Sequence, residues 1–289
     1  MAYPNNQNTS WNDEFFANMV TAAEFAAYEN SIARQMVKVF DVPMNAGKNV
    51  QVPIWGSMSA EIITDESDAT LSQTTSTSAN IALTEHVVYR QVTDMLRDSA
   101  YGDVVSDLGF NAGRAIAESI DTQVFSKFAS FTGGGGLGST STEITVDLLL
   151  RAGAALRAAK LTGPFFAVVH PNCAYNIKKQ LTYSAQTNIP ALSQVGDGVL
   201  SSFYIGGVAG IQVYESALVA ADGTGGATAY VNGVFAPSAL GHAMRGGIDM
   251  NTLYLPKSRA TDMVMKAVAG AAVLQAGHGV KIIAEGTAS

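Results

Sequence analysis

The stretch from Asp103 to Ser130 constrains this chain more than any other, because it is a long, unbroken amphipathic pattern. Val104, Leu108, Ala112, Ala115, Ile116, Ile120, Val124 and Phe128 recur at three- and four-residue spacing, the periodicity of one helix face. Asp103 stands where a short carboxylate can accept from the first unpaired amides and cap the helix. At ~1.5 Å per residue the helix would run roughly 40 Å, close to the width of a small domain. Such a helix is a beam for other elements to pack on. Its predicted buried face carries Leu108, Ala112, Ile116, Ile120 and Val124.

Apolar residues make up 47% of the 289 and charged residues 14%, low against the ~25% of ordinary soluble domains. So few charges cover little free surface, and we expect much of the surface to be buried against other chains. The net charge of −7, from 24 acids and 17 bases, argues against tight gripping of nucleic acid, which relies on clustered Lys and Arg. It is compatible with a container that encloses nucleic acid. The single cysteine, Cys173, rules out an intramolecular disulfide and fits a reducing compartment. The start, MAYPNNQNTSWN, has no signal-peptide pattern, and the apolar run from Met263 to Ala276 is too short to span a bilayer. No membrane association is expected.

Residues 2–12 are polar and read as an arm that orders on a partner. Asp13 to Asp41 is helical in pattern and ends before Pro43. Lys48 to Trp55 alternates as a strand, with Val50, Val52 and Ile54 on one side and Pro53 marking an edge. Alternation returns from Ala79 to Thr93, with Ile81, Leu83, Val87 and Tyr89 on one phase and Val88 and Val92 on the other. Between these runs lie Glu61, Asp65, Glu66 and Asp68, and no Lys or Arg occurs between Lys48 and Arg90. The simplest reading is one long hairpin, 48–93, with an acidic, hydroxyl-rich outer part. It has too few apolar residues to bury itself and should lie on something else, its four acids meeting the bases of a neighbouring chain; a solvated loop is the alternative.

Beyond the long helix, Phe131 to Thr142 (FTGGGGLGSTST) reads as a glycine hinge or loop. Asp147 to Lys160 predicts a helix, Pro164 to His170 a buried strand, and Pro171 to Leu181 another helix. Gly198 to Tyr214 predicts strand, turn and strand, and Ala227 to Ala236 a further strand. Asp249 to Leu255 and Ala260 to Ala284 close the chain as strands broken at Pro256, Gly270, Gly277 and Gly279. The fold class is α+β.

The residues for chemistry are sparse. His86, His170, His242 and His278 show no zinc spacing, and the acids from Glu61 to Asp68 lack the order of a calcium loop. The glycine run has no Gly-Lys-Ser/Thr after it and is no phosphate cradle. Cys173 lies near His170, but no local motif supplies an orienting third group, so it reads as a small buried apolar residue. No catalytic residue, cofactor site or metal site is assigned, and no enzyme activity is expected. A hydrolase whose Ser, His170 and Asp groups converge only in three dimensions stays open.

The order of these parts resembles the HK97-fold major capsid proteins of tailed double-stranded DNA bacteriophages. AYENSIARQMVKVFDVPMNAGKNVQVPIWGSMSAEIITDESDATLSQ resembles the entry into that family's extended hairpin, or E-loop. DVVSDLGFNAGRAIAESIDTQVFSKF resembles its spine helix, and FFAVVHPNCAYNIKKQL the strand and helix that open its axial domain. The resemblance implies an N-terminal arm and first helix over 1–47 and an extended hairpin over 48–93. It further implies a peripheral domain over 94–163 and 237–289, with the spine helix at 103–130, and an axial domain over 164–236. The implied function is a coat protein that self-assembles into hexamers and pentamers of an icosahedral head around double-stranded DNA. The DNA would be packaged without sequence-specific contact, with assembly in the host cytoplasm and residence in the virion. The hairpin would lie over a neighbouring subunit, carried at the N-terminal end of the spine. Some members cross-link through a hairpin lysine, but no lysine occurs from Asn49 to Ser126, which implies noncovalent contacts or a cement protein. Only a short arm precedes the first helix, which implies a separate scaffolding protein; a portal completes the implied partners. A cellular shell of the same fold that holds enzymes is the alternative within this architecture.

Overall fold

The computed structural model describes residues 20–21, 23–24, 26, 31–45, 47–56, 58, 60–63, 68, 75–99, 104–183, 204–208, 210–222 and 228–286. The expected arm over 2–12 lies outside them, as do Asp65, Glu66 and Asp103.

The amphipathic stretch forms helix α3 (Val104–Phe125), which follows a short α2 (Asp94–Ser99) and tightens into a 3-10 turn at Ser126–Ser130. Ala112, Ile116 and Ile120 are buried, with Leu108 partly buried beside them. They pack on Val92, Ile248, Met263, Met265, Ala267 and Ala269 of a four-stranded sheet. That sheet has the order β1 (Lys38–Val42), β11 (Leu240–Leu255), β12 (Ala260–Val273), β4 (Thr84–Thr93). A helix presents one apolar stripe and a strand alternate residues, so this pairing buries both. Burying Ile116 alone, 1% exposed, stabilises by about 1.5–3 kcal/mol.

The second body is a seven-stranded sheet, ordered β5 (Leu137–Glu143), β13 (Gly279–Glu285), β10 (Ala229–Phe235), β6 (Phe165–Val169), β8 (Ile211–Glu215), β7 (Tyr204–Val208), with β9 (Ala221–Asp222) also on β10. One of its faces is covered by α4 (Val146–Ala158) and α5 (Pro171–Tyr183), through Leu149, Ala152 and Leu156 and through Cys173, Ala174 and Ile177. The Thr145 hydroxyl caps α4 by accepting from the Leu148 amide. The other face receives the end of the spine. Phe128 lies 5.4 Å from Phe125, 5.5 Å from Phe131 and 5.4 Å from Phe235, ring centre to ring centre. This aromatic knot needs glycine beneath it: a Cβ on Gly233 would stand 2.7 Å from the Phe128 ring.

Several expectations require correction. Residues 38–41 are not the end of a helix. Val20, Thr21, Ala23, Glu24 and Ala26 are helical as expected, but the next helix, α1, covers Ala33–Met36, and the chain then pairs as β1 in parallel with Gly241–Arg245. Val39, Phe40 and Val42 suit a pleated edge, and tertiary pairing overrides the weak helical pattern. The expected hairpin arm at 79–93 is two strands. β2 (Asn49–Trp55) pairs antiparallel with β3 (Ser76–Ala82), whereas β4 pairs with β12. The change of partner at Leu83, whose amide donates to the Lys48 carbonyl, also shifts the phase: Ile81 and Leu83 are buried, Val87 and Tyr89 exposed. The glycine stretch is only partly a loop, since β5 forms within it after Gly134, Gly135 and Gly136, all at positive φ. The strand expected from Asp249 begins at Leu240 and bends at a bulge between Arg245 and Asp249, with Gly246 at φ +65°. Finally, β5, α4 and β13 belong with the seven-stranded sheet, so sheet membership does not follow the expected boundaries at 163/164 and 236/237.

Candidate assembly surfaces

The hairpin β2–β3 is anchored only at its base. Val42, Ile81, Leu83 and Ala243 form a small core there, joined by Phe40, Val50 and Val52. Beyond it, apolar side chains stand in the open: Trp55 is 67% exposed, Met58 76% and Ile62 96%. Glu61 and Asp68 are exposed beside them. Exposed apolar residues rimmed by charge mark an interaction surface. Asp65 and Glu66 lie outside the described residues, so the structure brings together only part of the expected acidic set.

The hairpin does not spring from the N-terminal end of the spine helix, as expected, but from near its C-terminal end. Just past the hairpin base, Thr84 accepts from Gln123 Nε2 at 3.1 Å, and His86 Nδ1 lies 2.7 Å from Ser119 Oγ. β4 therefore runs antiparallel to the helix. At its far end Asp94 accepts from the Tyr254 hydroxyl at 3.0 Å. Around that point Met95, Leu96, Leu253 and Tyr254 are exposed, next to Lys257 and Arg259 in the β11–β12 turn. An open cleft of about 570 Å³ lies there, lined by Thr93, Asp94, Met95, Ser99, Ser258 and Arg259. The described residues thus carry open apolar surfaces at both ends of β4, one with the exposed acids Glu61 and Asp68, the other with Lys257 and Arg259 beside Asp94.

The five predicted spine residues behave as one stripe: Ala112, Ile116, Ile120 and Val124 are buried and Leu108 partly so. One polar residue on this helix escaped the sequence reading. Asp121 is 1% exposed and accepts from Ser31 Oγ at 2.8 Å, Ile32 N at 2.9 Å and Ala33 N at 3.5 Å. It caps α1 from almost ninety residues away. Burial pushes its carboxyl above the usual range, and these three donors pull it back. The available signal was its position: Ala117, Asp121 and Val124 share a buried stripe at i, i+4 and i+7.

Chemistry does not assemble where it was sought. His170, Cys173 and Asn232 do meet, but as structural groups. The Cys173 thiol is fully buried, donates towards the Ala284 and Glu285 carbonyls, and is pushed up by burial. His170 is stacked on Tyr230 at 3.5 Å, its Nδ1 accepting from the Asn172 amide. Asn232 spends its oxygen on the His170 amide and its nitrogen on the Tyr230 and Ile282 carbonyls. A protonated, enclosed thiol without an activating base is a poor nucleophile. No cluster of His, Cys, Asp or Glu suited to a metal occurs among the described residues. No described helix is long and apolar enough to cross a membrane.

Comparison with known structures places this architecture among phage capsids. The capsid of the cyanophage P-SCSP1u superposes with a TM-score of 0.68 at 18% identity, covering 89% of this chain and 89% of that one. The capsid of Ralstonia phage GP4 gives 0.67 at 9% identity over 89% and 92% of the two chains. A virus-like particle from Pyrococcus furiosus gives 0.56 at 14% identity over 93% and 99%. The fold is therefore HK97-like, the class expected from the order of parts. The phage capsid protein family model matches residues 79–282, and the chain belongs to that family. No curated protein sequence matches it. The chain is thus a phage major capsid protein, a structural component that associates with itself in the virion shell.

Proposed function

We propose that this protein builds an icosahedral head of hexamers and pentamers that encloses double-stranded DNA without sequence-specific contact, assembling in the host cytoplasm. The observation that carries the reading is the pair of open apolar surfaces at opposite ends of β4, the hairpin with its exposed acids and the sheet end that carries Lys257 and Arg259. A closed shell needs two different surfaces per subunit, because heterologous contacts propagate around a ring. In this reading Glu61, Asp65, Glu66 and Asp68 of one subunit meet Lys or Arg of its neighbour, with Lys257 and Arg259 as candidate bases. The four-stranded sheet with the spine helix serves as the peripheral domain, and strands β6 to β10 with α5 as the axial domain. Residues before Asp13 reach under an adjacent subunit. With no lysine from Asn49 to Ser126 for a covalent link, cohesion rests on many modest contacts, aided by a cement protein. A separate scaffolding protein and a portal complete the assembly, and the chain itself performs no catalysis.

Size exclusion followed by negative-stain microscopy tests this reading. Uniform hollow particles are expected, and genome-length DNA should copurify with particles from infected cells. A small monodisperse species under all assembly conditions would overturn the shell. Particles loaded with enzyme and free of DNA would reassign it to a cellular compartment.

A further inference from the structure

Beside α1 lies a narrow, partly open pocket of about 30 Å³, room for one water. It is lined by Glu24, Ser31 and Arg34 from the N-terminal side, Ile116 and Ile120 from the spine, and His242 from β11. His242 is 2% exposed, and its Nδ1 is buried with no hydrogen-bond partner. Arg34 sits on the same pocket, its Nη1 directed at Met244 Sδ at 3.9 Å. We infer that residues 31–42 form a proton-operated strap: charging the buried His242 beside this pocket drives Arg34, and the strap with it, off the spine helix.

The geometry makes the strap a separable unit. It is held by the Asp121 cap, by burial of Ala33, Met36, Val37 and Val42, and by the five-residue parallel pairing of β1 with β11. β1 is the edge of its sheet, so it can leave without breaking another strand pair. His242 lies under this edge, paired with Val39 of β1 on one side and Ala271 of β12 on the other. Among the described residues, the ionisable groups around it are Arg34 on the strap, Glu24 on the preceding helical segment, His86 on β4, and Asp121 one turn along the spine from Ala117. A second cation beside Arg34 in so narrow a pocket is relieved most cheaply by moving Arg34 out and letting more water in.

The ionisation of His242 agrees with that geometry. Burial first, then the charges of Arg34 and His86, lower it from 6.5 to about 4, so the folded chain disfavours the charged ring about 300-fold relative to an exposed one. Asp121 works the other way: its raised carboxyl favours the proton in the folded chain and cannot be the source of acid release. Glu24 lies against the bare backbone of Gly247, at the rim of the same pocket.

Hydrogen exchange of the full chain, read by mass spectrometry at pH 7 and pH 4.5 and corrected for intrinsic rates, tests the inference. Peptides covering 38–42 should lose at least about ten-fold in protection at the lower pH, while those covering 231–235 in β10 hold theirs. His242→Gln, which cannot take a proton, should abolish the loss. Arg34→Met, which removes the like charge, should shrink it and serves if the first variant does not fold. A strap whose protection does not change with pH, or one that loosens equally in both variants, would overturn the inference.

Discussion

The spine helix and the hairpin solve opposite problems. The helix buries its apolar stripe within the subunit, on Met263, Met265, Ala267 and Ala269, and its end is locked by an aromatic knot. The hairpin buries its apolar residues only at the base and leaves Trp55, Met58 and Ile62 open. Both carry large apolar side chains, and the presence of those residues alone does not say where they are buried. What separates them is whether a partner exists inside the chain. Damage to the helix should therefore unfold the subunit, and damage to the hairpin should spare the subunit and strike assembly.

The strongest test of that contrast is Ile116→Asp. A carboxylate on the fully buried face, with no partner, should cost about 4–5 kcal/mol or more and abolish soluble protein, which expression and solubility assays would reveal. Leu108→Asp, at the partly buried end of the stripe, should follow with a smaller loss. If either variant remains folded, the helix is not the organising element. Next comes Phe128→Ala, which empties the centre of the aromatic knot and should cost about 3–5 kcal/mol in urea unfolding.

An intermediate effect comes from pH. The His242 value falls from 6.5 to about 4 on folding, so the unfolded chain binds the extra proton between those values. Its contribution is complete above about pH 6.5 and lost as pH falls towards 4, up to about 3 kcal/mol. Urea midpoints of wild type and His242→Gln should change little relative to each other above about pH 6.5, and wild type should drop relative to the variant as pH falls to 4.5.

The smallest effect on the subunit and the most selective effect on the shell should come from the hairpin. Changing Glu61, Asp65, Glu66 and Asp68 to Lys should leave the urea midpoint within about 0.5 kcal/mol of wild type, since surface substitutions seldom do more. Particle yield by microscopy should fall sharply. Unchanged particles would remove the acids from the interface. Trp55→Ala should behave likewise, because a side chain 67% exposed in the subunit has little to lose there.

Much of the fold was legible. The period of Leu108, Ile116, Ile120 and Val124 announced the spine, and the apolar run at Phe165–Val169 announced a buried strand. Both are local patterns set by burial on one side or on two. The errors fall where a segment's fate depends on a distant edge. Lys38–Val42 reads as helix until β11 offers it hydrogen bonds, and the phase change at Leu83 follows from a switch of partner that alternation cannot report. The candidate surface was only half legible. The acids could be read directly, but their companions Trp55, Met58 and Ile62, and the opposing end at Met95, Leu253 and Tyr254, emerge only when burial is known.

The sequence by itself determined which stretches carry an apolar face, that the chain is too poor in charge to cover a large free surface, and that it carries no compact catalytic motif. Those properties are local or compositional and survive without coordinates. Only the tertiary structure decided where each face finds its partner. It set the hairpin at the C-terminal end of the spine, turned Asp121 into the cap of a helix far away in sequence, and closed His242 under a strand edge. Each depends on contacts between residues about 40 to more than 200 positions apart, and no periodicity within a single segment encodes them.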